Sequence, residues 1–128
     1  MAKRAVTTPK GKAIGPYSLA IESGDQLFIS GQIPLDAATG KLVEGDVSAQ
    51  ARQSLENLKA ILEAAGLTFG HAIKTTIFLT SMADFAAVNE VYKFYMSEPY
   101  PARSTIAVAA LPMDAKVEIE MIASRSAI

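Results

Sequence analysis

Apolar residues recur with two different periods along the chain, and the change of period marks the expected elements. Two stretches have the three-to-four-residue spacing of an amphipathic helix. The first runs from Val47 to Ala65, with Asp46 as its N-cap and Gly66 as its C-terminal stop. The second begins with a capping box at Ser81 and ends before Pro99. We therefore expect two helices.

Strand-like segments alternate with these helices. The segments from Tyr17 to Ile21 and from Gln26 to Ser30 flank a Ser23-Gly24-Asp25 turn signal, which predicts a hairpin. A loop from Asp36 to Gly45 follows, with room for a short strand at Lys41 to Val43. Three further strands are expected, at Ala72 to Thr80, Ala102 to Ala109 and Lys116 to Ser124.

The order β-β-(β)-α-β-α-β-β is typical of an α+β fold. It predicts one mixed sheet with two helices on one face, because strands separated by a helix can pair in parallel. The chain has 128 residues and no internal repeat or linker. We expect a single domain over residues 1–128.

Composition narrows the chemistry that this fold can perform. The sequence contains no cysteine, which excludes a thiol nucleophile, a disulfide and a Cys-ligated zinc site. His71 is its one histidine, which argues against a His-rich metal site and a Ser-His-Asp triad. We expect neither a metal nor a cofactor.

Charge and hydropathy bear on location and partners. The formal net charge of −1 gives no long-range attraction to nucleic acids or anionic lipids. The first fifteen residues are basic but lack the apolar segment of a signal peptide. No apolar run approaches the roughly 18–20 residues that span a bilayer. We expect a cytoplasmic protein without a membrane partner.

Strand alternation sorts the last two strands onto two faces. If the bulky apolar residues meet the helices, the opposite face carries four polar side chains, Arg103, Thr105, Glu118 and Glu120. One interpretation is a solvated face with an Arg–Glu pair worth under about 1 kcal/mol. The other is a face packed against a second subunit, because Ile122 and several alanines make it unusually apolar. Alternation alone leaves both open.

Several short motifs follow one another in a fixed order. They are Gly15-Pro16-Tyr17-Ser18, Ser30-Gly31-Gln32-Ile33-Pro34, Gln50 to Gly66, Ile73-Lys74-Thr75-Thr76, Val88-Asn89, Pro101-Ala102-Arg103-Ser104, and Leu111-Pro112 followed by Val117-Glu118-Ile119-Glu120. Through these motifs the sequence resembles the RidA (YjgF) family of imine deaminases over essentially its whole length.

The resemblance implies a chorismate-mutase-like α+β fold and a homotrimer whose sheets form a central barrel. Substrate clefts would lie between neighbouring chains. It also implies cofactor-free hydrolysis of reactive enamine and imine acids, such as 2-aminoacrylate, 2-iminopropanoate and 2-iminobutanoate. The products would be 2-oxo acids and ammonia, and the substrates would come from pyridoxal-phosphate-dependent dehydratases of amino-acid metabolism.

By motif position, the essential arginine of the family falls on Arg103 and its site glutamate on Glu118. A guanidinium binds a carboxylate bidentately, and Glu118 can position or deprotonate the attacking water. Glu120, on the same predicted face as Glu118, could exchange roles with it. The expected substrate-binding residues are Tyr17, Ser30, Gly31, Asn89, Arg103 and Thr105.

The sequence departs from the family at three positions. Thr105 stands where many members have a cysteine two residues after the arginine, so a mechanism that needs a thiol fails here. Leu19 replaces a frequent glutamine, and Met113 stands where lysine is common. The last two departures bear on substrate fit.

Two other functions compete with deamination. A protein that binds 2-oxo acids without turnover would need Arg103 but not Glu118. A nucleic-acid role would draw on the basic N-terminal arm, which contains Lys3, Arg4, Lys10 and Lys12. No basic stripe with interleaved aromatic residues accompanies that arm, so we do not expect a nucleic acid as partner.

Overall fold

Strands and helices cover most of residues 2–128, the part of the chain that the computed structural model describes. The strands are β1 (Arg4–Val6), β2 (Ala20–Ser23), β3 (Gln26–Gln32), β4 (Leu35–Asp36), β5 (Lys41–Leu42), β6 (Ala72–Leu79), β7 (Ala102–Ala107) and β8 (Val117–Ser124). The helices are α1 (Val47–Ala64) and α2 (Phe85–Tyr95).

Six strands form the main sheet, in the order β1-β2-β3-β8-β6-β7. β6 and β7 pair in parallel, and every other neighbouring pair in this sheet is antiparallel. The parallel pair follows from the crossover through α2, since such a connection returns the chain in the same direction. β4 and β5 form a separate small hairpin. The α+β class, the mixed sheet and the two helices are therefore confirmed.

Helix α1 supplies much of the core and begins and ends as its sequence predicts. The Asp46 side chain accepts a hydrogen bond from the Ala49 N–H at 3.0 Å, which caps the first turn. Gly66 adopts a φ of +76°, a conformation that glycine takes without strain. The apolar side of α1 is fully buried, through Leu55, Leu58, Ile61 and Leu62.

The N-terminal part differs from the prediction in two ways. The expected polar arm contains a strand, β1, which pairs with β2 and carries the Arg4–Glu22 ion pair. The first hairpin strand spans Ala20–Ser23 and not Tyr17 to Ile21. Tyr17 lies in a bend, where its N–H donates to the Gly15 carbonyl at 2.8 Å and so cannot join a ladder.

Strand β3 continues past its predicted end at Ser30. Ile29 pairs with Met121 and Gln32 with Ile119, so Ser30 and Gly31 together stand opposite the one residue Glu120. This two-against-one arrangement is a β-bulge, after which the strand continues to Gln32. Because a bulge interrupts the alternation of inward and outward side chains, the sequence at Ser30-Gly31 resembles the end of a strand.

The second helix begins later than predicted. Ser81 accepts a hydrogen bond from the Ala83 N–H at 3.2 Å and opens a 3₁₀ turn at Met82–Asp84. Asp84 makes no side-chain capping bond, so the predicted capping box is incomplete and α2 starts at Phe85. Strand β7 ends at Ala107, two residues before its predicted end.

The predicted sharing of one face by Arg103, Thr105, Glu118 and Glu120 is wrong. Residues paired across neighbouring strands point to the same side of a sheet. Arg103 pairs with Thr75 and Thr105 with Ile77, and both β6 partners are buried on the helix side. Glu118 pairs with Phe78, and Glu120 with Thr76, on the opposite side. We call this opposite side the outer face.

The error came from assuming that the bulkiest apolar residues of β7 meet the helices. Ile106 instead lies on the outer face with 46% of its surface exposed, as does Phe28 of β3 with 42%. β7 is an edge strand, and side chains of α2 take up the room on its helix side. The outer face of a single chain therefore leaves large apolar residues uncovered.

Within residues 2–128, no helix is both long and apolar enough to cross a membrane.

Two buried amides tie α1 to the loops beside the sheet. Asn57 donates to the carbonyls of Ile33 at 3.2 Å and Leu35 at 2.9 Å. Gln50 accepts a hydrogen bond from the Lys116 N–H at 2.9 Å. These bonds hold the chain just after Gly31 and just before Glu118. Helix α1 thereby fixes the relative position of β3 and β8.

We expect Asn57→Ala to lower the free energy of unfolding by about 1–3 kcal/mol, because two buried carbonyl hydrogen bonds are lost. Urea denaturation measures this difference. Lys59→Ala is the matched control, since Lys59 lies on the exposed side of the same helix. Equal stability of the two variants would contradict the role given to Asn57.

Candidate active site

Arg103 lies on the helix side of β7, beneath α2. Its Nη1 donates to Asn89 Oδ1 at 2.7 Å, and its guanidinium lies 5.0 Å from the ring centre of Tyr92 and 5.7 Å from that of Phe85. Positions 85, 89 and 92 share one side of a helix by their spacing. One side of α2 thus holds the guanidinium in place through cation–π contacts and a single hydrogen bond.

The guanidinium keeps most of its binding capacity. A guanidinium has five N–H donors, and the Asn89 bond uses one of them. Among residues 2–128 the only ion pairs are those of Glu22 with Arg4 and Arg125, so Arg103 has no internal carboxylate partner. The remaining donors suit bidentate binding of an external carboxylate.

Tyr92 supports this arrangement from beneath. Its hydroxyl lies 2.7 Å from Thr75 Oγ1 on the buried side of β6. Burial raises the pKa of Tyr92 above its ordinary value, an effect that the Thr75 hydrogen bond and the Arg103 charge only partly oppose. The ring therefore faces Arg103 as a neutral phenol.

A pocket of about 300 Å³ opens beside Arg103, between α2 and the start of β7. We call it the Arg103 pocket. Its lining residues are Asn89, Tyr92, Lys93, Tyr100, Pro101 and Arg103.

Glu118 lies on the outer face of β8, against the β3 bulge. A Cβ atom added to Gly31 would lie 2.7 Å from Glu118 Oε2, so a side chain there would displace the carboxylate. Glycine at position 31 therefore leaves room for the Glu118 carboxylate in this position. Burial raises the pKa of Glu118 above its ordinary value, and the charge of Glu120 raises it further. A structural ion pair of Glu118 with Arg103 or Lys116 is absent from residues 2–128.

Ser30 and Tyr17 lie near the same bulge, and local hydrogen bonds position both. Ser30 Oγ donates to the Ser18 carbonyl at 2.6 Å, and its backbone N–H donates to the Leu19 carbonyl at 2.9 Å. The Tyr17 hydroxyl accepts a hydrogen bond from the Ile14 N–H at 3.2 Å, while 44% of the residue is exposed. The Ser30 N–H is thus already used within the chain.

The structure sorts the predicted site residues into two groups on opposite faces of the sheet. The arginine group contains Asn89, Arg103 and Thr105, and the glutamate group contains Ser30, Gly31 and Glu118. Tyr17 lies in the bend before β2, next to Ser18, whose carbonyl accepts the Ser30 hydrogen bond. Strand β6 lies between β7 and β8, so the two strands are roughly 9–10 Å apart. One chain therefore does not bring Arg103 and Glu118 to one small substrate.

Thr105 carries an unusual hydroxyl within the arginine group. Its Oγ1 is buried and makes no hydrogen bond in the described part of the chain. Buried hydroxyls are normally paired, so this atom has unused capacity for a ligand or a neighbouring group.

Sequence reasoning missed four residues around Arg103. Phe85 and Tyr92 contact the guanidinium, and their spacing on α2 places them beside Asn89. Lys93 and Tyr100 line the pocket. Lys93 follows Asn89 by four residues and Tyr100 precedes the Pro101-to-Ser104 motif, which are the signals that could have found them.

Within residues 2–128, no group of three or more His, Cys, Asp or Glu side chains could hold a metal ion.

Comparison with known proteins extends this description. The family model described as Endoribonuclease L-PSP matches residues 7–125. The chain is 52% identical to the 2-iminobutanoate/2-iminopropanoate deaminase of Salmonella typhimurium, over 98% of this chain and 99% of that protein.

Two solved structures are also similar. The structure of Escherichia coli TdcF with bound serine gives a TM-score of 0.90 at 50% identity, covering 96% of this chain and 99% of that one. RidA from the Antarctic bacterium Psychrobacter sp. PAMC 21119 gives a TM-score of 0.91 at 46% identity, over 94% and 98% of the two chains. Since both the family model and these relatives cover nearly the whole chain, the protein belongs to the Endoribonuclease L-PSP (YjgF/RidA) family.

Proposed function

We propose that this protein hydrolyses small 2-imino and enamine acids to 2-oxo acids and ammonia. The observation that carries the proposal is Arg103, held by α2 beside an open pocket and without an internal carboxylate partner. The Salmonella typhimurium relative is named for this reaction, which confirms the deaminase class predicted from the sequence. We further propose a cytoplasmic location, close to the enzymes that release such acids.

Arg103 binds the carboxylate of the substrate. Its fork fixes both the position and the plane of that group, and the planar imino acid is oriented along with it. Asn89 and the rings of Phe85 and Tyr92 hold the guanidinium in advance, so little side-chain freedom is lost on binding.

Glu118 positions the attacking water and transfers protons during the reaction. Water adds to C2 of the protonated imine while Glu118 accepts a proton from it, which gives a carbinolamine. The nitrogen then takes up that proton from Glu118 and leaves as ammonia, while the Glu118 carboxylate accepts the proton of the C2 hydroxyl, whose oxygen becomes the carbonyl of the 2-oxo acid. No covalent enzyme intermediate is needed, which suits a chain with Thr105 in place of a cysteine.

We propose that the two groups meet between subunits of a homotrimer, with the arginine group of one chain facing the glutamate group of its neighbour. The separation of Arg103 and Glu118 on opposite faces of one chain supports this. So do the free edge of β7 and the exposed Phe28 and Ile106 on the outer face. The trimeric state itself rests on the family resemblance.

Small-carboxylate binding without turnover is the second candidate. The family includes TdcF, whose structure holds bound serine, a small molecule with an α-carboxylate. Wild-type protein that binds 2-oxobutanoate but adds nothing to the solvent rate of 2-iminobutanoate hydrolysis would establish this function in place of deamination.

RNA cleavage is named in the description of the family model, but the geometry favours it less. The formal net charge is −1. His71, the one histidine, accepts a hydrogen bond from the Thr68 N–H at 3.1 Å in a short turn, where it forms part of a structural cap. We keep the prediction that nucleic acid is not a partner.

We expect Arg103→Lys to lose most of the deaminase activity, roughly 100-fold or more in kcat/KM, because an ammonium cannot reproduce the bidentate fork. A dehydratase-coupled assay of 2-iminobutanoate decay measures it. Arg125→Lys is the matched control, since Arg125 pairs with Glu22 away from the Arg103 pocket. Full activity of Arg103→Lys would refute the orienting role.

We expect the activity to fall as the pH drops through the raised pKa of Glu118, because the protonated carboxyl cannot accept a proton from water. Glu118→Gln should remove both the activity and this fall at low pH, the acid limb of the pH–activity profile. In Glu120→Gln the like charge is gone, so the pKa of Glu118 falls and the limb shifts to lower pH. A limb that persists in Glu118→Gln, or that does not move in Glu120→Gln, would show that another group titrates.

We expect Arg103→Ala and Glu118→Gln to complement each other when co-expressed in equal amounts. Each variant alone lacks one half of every site, whereas mixed assemblies restore about a quarter of the sites, where two intact halves meet. The activity of the purified mixture measures complementation, and sedimentation of the wild type measures the oligomeric state. A monomeric wild type, or a mixture as inactive as its components, would contradict the intersubunit site.

A further inference from the structure

The Arg103 pocket contains a second cation that the proposed mechanism does not use. Lys93 follows Asn89 by four residues on α2, so its side chain lies one turn further along the same side of the helix. Both Lys93 and Arg103 line the pocket, and no carboxylate side chain is among its lining residues.

Neither cation forms an ion pair with an acidic residue in the described part of the chain. The ion pairs among residues 2–128 involve Glu22 alone, on the far β1–β2 side of the sheet. Two like charges in one pocket repel each other, and an anion placed between them relieves the repulsion. A substrate with one carboxylate, bound to Arg103, would leave Lys93 unpaired.

The wall of the pocket adds a neutral donor beside Lys93. Tyr100 lines the pocket with 54% of its surface exposed, and its phenol O–H can donate to a carboxylate. The volume of about 300 Å³ leaves room beyond the α-carboxylate for a longer side chain. The unused chemistry of the pocket is therefore cationic and hydrogen-bond-donating.

We propose that Lys93 and Tyr100 form a subsite for a second anionic group, and that the substrates of this protein include 2-imino dicarboxylic acids. The inference rests on the proposed function, in which Arg103 takes the α-carboxylate. Lys93 is then a specificity-determining residue, because its charge favours a dicarboxylate over a monocarboxylate of similar size.

Binding of the products tests the subsite without requiring turnover. Isothermal titration compares 2-oxoglutarate with 2-oxobutanoate in wild type, Lys93→Gln and Lys41→Gln, the last being a control on the exposed strand β5. We expect wild type to prefer 2-oxoglutarate, and Lys93→Gln to lower that preference about threefold to fivefold, the range of an exposed ion pair. Lys41→Gln should keep the wild-type preference. An equal preference in wild type and Lys93→Gln would overturn the proposal.

Turnover provides the second test. The imines are 2-iminoglutarate, formed from glutamate by an amino-acid oxidase, and 2-iminobutanoate, formed from threonine by a dehydratase. In Lys93→Glu we expect the ratio of kcat/KM for the two substrates to fall about tenfold through KM, because the charge is reversed. An unchanged ratio would refute the subsite. If wild type accelerates neither reaction, the deaminase proposal fails, and the binding comparison still decides the role of Lys93.

Discussion

The parallel pairing of β7 with β6 decides on which side of the sheet Arg103 lies. Because Arg103 stands opposite Thr75 and Thr105 opposite Ile77, the guanidinium points beneath α2, where Asn89 and two aromatic rings receive it. A shift of this pairing by one residue would move Arg103 to the outer face. The position of Arg103 in its pocket, its contacts with Phe85 and Tyr92, and its proximity to Lys93 all depend on this register.

A second constraint places the glutamate group. The bulge at Ser30-Gly31 lets two residues of β3 stand opposite Glu120, and the missing side chain of Gly31 leaves room for the Glu118 carboxylate. Gln50 and Asn57 hold the chain on both sides of this contact. Burial, together with the charge of Glu120, keeps the pKa of the Glu118 carboxylate raised, and no cation of the described residues forms an ion pair with it.

Local sequence signals predicted where the helices and strands lie better than they predicted on which face of the sheet a side chain lies. Asp46 and Gly66 marked the ends of α1, because capping is a property of a few neighbouring residues. The face of Arg103 depends on a pairing between distant segments, and the rule that large apolar residues point inward failed at Ile106. The bulge was missed for a similar reason, since Ser30-Gly31 is equally typical of a strand end. Motif matching identified the site residues without indicating that they form two groups.

The separation of the two groups connects the competing functions. A lone chain has Arg103 and its pocket, but its Glu118 lies on the opposite face of the sheet, so on this geometry it is a receptor for carboxylates. In the proposed trimer, the Glu118 of a neighbour adds the missing proton acceptor, and the contact shields both charged groups from bulk solvent, which strengthens their interactions with substrate. Binding without turnover and hydrolysis are then properties of the same half-site before and after assembly. In the proposed trimer, the interface that would cover Ile106 and Phe28 is therefore also what makes the chemistry possible.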